Sequence, residues 1–118
     1  MNAEYAARFG LSFRPGVSAW REGDLDLRLE AAHPLAARFP ATVRFTDESY
    51  WQLPGDTSGL RIVARARESG ADRPQAWTRE VGSGRVFACI PGHFDRTHDD
   101  PFYRILVLRG IAWSRRTF

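Results

Sequence analysis

Residues 75–90 read "QAWTREVGSGRVFACI", and the fold turns on them. Two apolar-rich runs flank Gly82-Ser83-Gly84. Glycine supplies the positive φ that a tight hairpin turn needs, so the stretch predicts an antiparallel strand pair. The chain after it, "PGHFDRTHDDPFYRILVLRGIAW" (91–113), predicts a loop and then a helix. Asp99 or Asp100 is placed to cap that helix, and Pro101 suits its first turn. Phe102, Ile105, Leu106, Leu108, Ile111, Ala112 and Trp113 form a surface broader than a simple stripe, which predicts a helix largely buried on the sheet.

Upstream, "DLDLRLEA" (24–31) alternates Leu25, Leu27 and Leu29 with charged residues, the period of a half-buried strand. "HPLAARF" (33–39) predicts a helical turn with Pro34 at its start. "ATVRFTDE" (41–48) and "LRIVARA" (60–66) predict further strands, with Val43 and Phe45 sharing a face. "NAEYAARFG" predicts a short helix closed by Gly10. "LSFRPG" predicts an extended piece ending in a turn, and "DTSG" and "RESGADRP" predict loops. Strands mixed with helices around one firm hairpin give an α/β layer structure with a mixed sheet.

Length and composition bound the rest. A chain of 118 residues with 43% apolar content suits a single domain with a sizeable core. No apolar run approaches the roughly 20 residues of a membrane span. "MNAEYAARFG" is not a secretory signal. With one cysteine, Cys89, the chain has no internal disulfide, and a cytoplasmic location is expected. The net charge of +3 comes with a pI of about 9.7. All 17 basic residues are arginine, spread from Arg8 to Arg116 with acids between them. That pattern fits surface ion pairs better than a nucleic-acid footprint, so neither nucleic acid nor membrane is expected as a partner.

Three stretches resemble one family. "HPLAARFPATVRFTDESYW" resembles the segment of the trehalose-utilisation (ThuA-like) family that runs from His-Pro-Ile/Leu to a strand ending in Asp-Glu-x-Tyr. "QAWTREVGSGRVFACIPGH" resembles its Trp-x-x-x-x-Gly-x-Gly-Arg-Val-Phe pair closing in Gly-His. "DPFYRILVLRGIAW" resembles its last helix. Order and spacing agree over about residues 31–114. The resemblance implies a partial flavodoxin-like, class I glutamine amidotransferase-like sandwich over 1–118, in which the N-terminal half of the usual domain is absent. It implies a role in carbohydrate metabolism. A half-sheet leaves an unpaired strand edge, so an interaction module that forms a homo-oligomer or complements another subunit is an alternative.

The chemistry has three candidates. In class I amidotransferases the matching strand end resembles His-Pro-Glu, so His93 stands for the histidine and Asp95 for its acid. The elbow that carries the nucleophilic cysteine is missing. Cys89 on a continued strand would lie about 13 Å from His93, too far for proton transfer. Cys89 therefore reads as a small buried hydrophobe, and glutaminase activity is not expected. His93, Asp95, His98, Asp99 and Asp100 include metal-ligand types, but no spacing matches a zinc signature, and neither a metal nor a cofactor is assigned. "TDESYWQ" offers acids beside aromatics, the inventory of a sugar-like ligand site. The resemblance carries Asp47, Glu48, Tyr50, Gly92 and His93 to that cleft and keeps His33 as a further ligand-binding candidate. If the protein is an enzyme, a hydrolase or sugar-modifying protein using His93 with water or a metal, His93 is the general acid/base, Asp95 or Glu48 the orienting or second acid and Tyr50 a donor. Trp77 and Trp113 read as core, and Arg85 as an ion-pair partner.

Overall fold

A computed structural model describes residues 3–118. Helix α1 (Ala3–Phe9) precedes strand β1 (Ala19–Leu29). A short 3-10 turn, Pro34–Ala36, leads into β2 (Thr42–Trp51). Strands β3 (Arg61–Glu68), β4 (Ala71–Val81) and β5 (Gly84–Cys89) follow, then α2 (Asp95–Asp99) and α3 (Pro101–Ser114). The α/β class is as expected from the sequence. The five strands lie in the order β2-β1-β3-β4-β5, and every pairing between neighbours is antiparallel. The parallel component of a mixed sheet is not found among the described residues. Parallel neighbours need a long crossover, and the connections β3–β4 and β4–β5 are tight turns.

The 75–90 hairpin forms as its glycines demand. Val81 pairs with Gly84 across a Gly82-Ser83 turn, and only Gly82 there has positive φ (57°), the pattern of a type II′ turn. The "RESGADRP" segment is a second hairpin rather than a loop. Ser69 (φ 50°) and Gly70 (φ 76°) make a two-residue turn, and Glu68 pairs with Ala71. Pro74 therefore sits inside β4, a position that usually breaks a ladder. It is tolerated because β5 pairs β4 only from Ala76 onward. Strand β1 also starts earlier than its leucine alternation, at Ala19, because Ala19–Arg28 pair continuously with Trp51–Thr42.

The β1–β2 ribbon meets β3 only through Arg28↔Arg65 and Leu29↔Ala64, so the sheet splays and curls. This curl brings the end of β2 to β4, where Gln75 Nε2 donates to the Tyr50 carbonyl (3.0 Å). One face carries the core, in which Leu27, Val43, Phe45, Val63 and Ala76 pack against Leu35, Tyr103, Leu106 and Trp113. Gly110 lets α3 approach β5, since a Cβ there would strike the Phe87 ring. On the opposite face, Trp77 donates its indole N–H to the Phe9 carbonyl of α1 (2.7 Å).

Helix α3 starts where the sequence places it. Asp100 accepts from the N–H groups of Phe102 (2.8 Å) and Tyr103 (3.2 Å), and Pro101 occupies the first turn. Its apolar surface is not largely buried, however. Tyr103, Leu106, Gly110 and Trp113 face the core, whereas Phe102, Ile105, Leu108 and Ile111 are exposed, Leu108 by 64%. A single helix on one sheet face can bury one stripe, and the remaining apolar positions lie outside it. No helix among the described residues is long and apolar enough to cross a membrane.

Candidate functional site: an imidazole, carboxylate and phenol corner

Adjacent residues of a strand point to opposite faces, and β2 uses this at Asp47 and Glu48. Asp47 continues the row of Val43 and Phe45 and is 1% exposed. Its carboxylate binds the loop that follows β5. It accepts from the backbone N–H of His93 (3.1 Å), Gly92 (3.2 Å) and Phe94 (3.5 Å), from the Glu48 N–H (2.6 Å) and from the Thr97 hydroxyl. Burial alone would raise its pKa. The Thr97 hydroxyl and the N–H groups of Glu48, His93 and Gly92 outweigh that, and the carboxyl lies below the ordinary aspartate value. Asp47 thus anchors the Gly-His loop, with its carboxylate turned into protein.

Other groups hold the same loop. Tyr103 Oη donates to the Pro91 carbonyl (3.0 Å), and His98 Nε2 bonds the Gly92 carbonyl (2.8 Å). Gly92 has φ 135°, and a Cβ would collide with Tyr103 Oη, so both backbone and space require glycine here.

Glu48 and Tyr50 share the other face of β2. Tyr50 Oη donates to Glu48 Oε2, and the same carboxylate oxygen lies 3.6 Å from His93 Nδ1. Glu48 is 8% exposed, whereas the His93 side chain is 60% exposed. The buried carboxylate therefore lies beneath an imidazole whose Nε2 is free of any protein partner among the described residues. Burial, and then the Glu48 carboxylate, pushes the Tyr50 phenol up to about 12, so it stays a proton donor across the physiological range.

Tyr50 also forms a wall of a cleft of about 480 Å³ between α1 and the sheet. Tyr5, Phe13, Trp77, Leu53 and Ile90 line the same cleft. Phe13 packs edge-on to Tyr50 with centroids 5.6 Å apart. Its segment is fastened by the Leu11↔Gly55 bridge and by Ser12 N–H donating to the Pro54 carbonyl (3.1 Å). The corner and the aromatic cleft thus adjoin through one tyrosine.

The structure separates the remaining candidates. Asp95 opens α2, is exposed, and makes no hydrogen bond or ion pair with His93 among the described residues. His33 is 3% exposed and belongs to the core face. Its Nδ1 accepts from Leu35 N–H (3.1 Å) and its Nε2 bonds Thr78 Oγ1 (2.8 Å), far from any contact with Glu48, Tyr50 or His93. Cys89 is half-buried, and burial pushes its thiol up to about 12, so it is protonated at neutral pH. Among the described residues no three His, Cys, Asp or Glu side chains cluster closely enough to hold a metal ion. Trp113 belongs to the core, whereas Trp77 is buried on the opposite face and lines the cleft; Arg85 pairs with Glu80 (3.2 Å). Thr97 and Phe13 were not singled out by the sequence. Thr97 lies 50 residues from the carboxylate it binds, and no local pattern marks such a partner.

Fold and corner together define a small α/β domain that carries an exposed imidazole beside a buried carboxylate, next to an aromatic cleft. The chain belongs to the trehalose-utilisation (ThuA) family, whose model matches residues 7–114. No curated protein matches the chain.

Proposed function

We propose that this protein serves carbohydrate metabolism as a ligand-binding or accessory domain, holding a sugar-related molecule at the His93–Glu48–Tyr50 corner. The observation that carries this reading is the Glu48 carboxylate 3.6 Å from His93 Nδ1 while it accepts from Tyr50, which also lines an aromatic cleft. Hydroxyl groups are recognised by such donor and acceptor pairs, and the C–H faces of a sugar ring pack on aromatic walls. Family membership supports a role in trehalose utilisation. The protonated Cys89 thiol supports a function without glutaminase chemistry. The lone cysteine supports a cytoplasmic setting.

Titration calorimetry with trehalose, other disaccharides and monosaccharides tests the proposal. Saturable binding is expected, weakened at least about tenfold by His93→Ala and by Glu48→Gln, corresponding to one hydrogen bond to a charged group. Absence of binding to every saccharide, or binding indifferent to both substitutions, overturns it.

One observation favours an enzymatic reading as well. Glu48 Oε2 lies 3.6 Å from Nδ1, close enough to hydrogen-bond after a small shift, and Nε2 is left to exchange protons with a bound hydroxyl or water, as a general acid/base requires. Tyr50 would donate a hydrogen bond, and Asp95 would need to move to take part. If saccharide hydrolysis is detected, His93→Ala should lower its rate about 100- to 10,000-fold. A smaller effect removes His93 from the chemistry.

A further inference from the structure

The two edges of the sheet are built differently. On β2 the exposed side chains are Thr42, Arg44 and Thr46, with Arg44 paired to Asp26 (2.7 Å). Polar and charged residues of this kind protect an edge from pairing. Strand β5 instead reads Val86-Phe87-Ala88-Cys89 and continues into Ile90. No residue of β5 is fully buried, although β4 beside it buries Gln75 to Thr78. It is an apolar, β-prone strand left half in water.

Its backbone shows which groups are open. The Val81↔Gly84 pair closes the turn, and Ile90 N–H donates to the Gln75 carbonyl (2.8 Å). By the alternation of an antiparallel ladder, Val86, Ala88 and Ile90 bond to β4, while Arg85, Phe87 and Cys89 turn their N–H and C=O groups outward. Among the described residues none of those outward groups has a hydrogen-bond partner.

We infer that β5 pairs antiparallel with β5 of a second copy of this chain, about a twofold axis at Phe87. This is the one register that uses every outward group: Phe87 meets Phe87 of the partner copy, and Arg85 meets Cys89 in both directions. A strand whose open residues are symmetric about their centre is its own complement, as a twofold interface requires. Charge does not oppose this order. At the hairpin end Arg85 is paired with Glu80 (3.2 Å) and Arg116 bonds the Ser83 carbonyl (2.8 Å). At the far end Asp99 is paired with Arg104 (2.9 Å), so antiparallel pairing brings no unpaired like charges of β5 itself together. An aromatic pair on the axis adds to the backbone bonds. The inference does not depend on the sugar site, and its failure leaves that reading untouched.

Sedimentation analysis and residue-resolved amide exchange on the unmodified protein test it together. The expected result is a dimer in which the Arg85, Phe87 and Cys89 amides are protected and lose protection on dilution, while Val86 and Ala88 stay protected throughout. Arg85→Cys adds a covalent check. Directly opposed residues of a hydrogen-bonded pair have Cα atoms about 5.5 Å apart, within disulfide range. Oxidation should therefore link R85C to Cys89 of the other copy. V86C, on the other face, should not link. A monomer at every concentration overturns the inference. So does a dimer whose Arg85, Phe87 and Cys89 amides exchange freely.

Discussion

At the scale of single residues, the Asp47 carboxylate decides whether the Gly-His loop has a shape. It takes five donors, and a substitution that removes the acceptor leaves buried N–H groups without partners. Asp47→Ala should destabilise the fold by about 2–4 kcal/mol in urea unfolding, allowing for non-additivity. Its depressed pKa fixes the sign of the pH dependence. The stabilisation is present above the unfolded value near 3.9 and is lost as pH falls through the lower folded value. Amide shifts of His93 and Thr97 should report loop release only in that acidic range, and Asp47→Asn should abolish the step. His33 follows the same sign in a higher pH range. Burial and then Arg61 lower its pKa. Its contribution is present above the unfolded value near 6.5 and falls away as pH drops below it. Nitrogen-resolved NMR should find it neutral at that value, with the proton on Nε2, because Nδ1 accepts from Leu35 N–H. A charged His33 there would contradict the burial.

At the scale of elements, α3 shows how one helix divides its apolar residues. Leu106 is 2% exposed and Leu108 is 64% exposed, two positions apart on the same helix. Leu106→Ala should cost about 2–4 kcal/mol, and Leu108→Lys within about 0.5 kcal/mol of zero, in thermal unfolding at low protein concentration. Gly110→Ala should cost about 1–3 kcal/mol, because the added methyl enters the space of the Phe87 ring. The caps and turns of these elements were legible in the sequence. Asp100-Pro101 starts α3 and Gly82-Ser83 turns the last hairpin, since each depends on the residues at the spot. The Ser69-Gly70 hairpin was less legible, because Pro74 four residues after Gly70 argues against a strand. Only the shortness of β5 makes that proline acceptable.

At the scale of the whole molecule, the sheet is two units joined along a short seam. Beyond Arg28↔Arg65 and Leu29↔Ala64, the wedge between β1 and β3 is closed by Glu68, 4% exposed, which accepts from Arg21 Nε (2.7 Å) and Ser49 Oγ (2.7 Å). Glu68→Ala strands two donors, one of them charged, and should cost about 2–3 kcal/mol. Hydrogen exchange should then quicken across the β1–β2 ribbon before β3–β5, and a uniform response would show that the seam is not the weak joint. That same curl carries β2 to the Gly-His loop. The sequence by itself determined the elements governed by near neighbours: the last hairpin, the start of α3, the His33 turn, and the residue types that make up the corner. Only the tertiary structure decided that Glu48 rather than Asp95 faces His93, that Asp47 is spent holding the loop, and that β5 has an open edge among the described residues. Turns and caps are set by contacts a few residues long. Those later choices depend on groups some 45 to 50 residues apart, brought together by a splay in the sheet that no local pattern encodes.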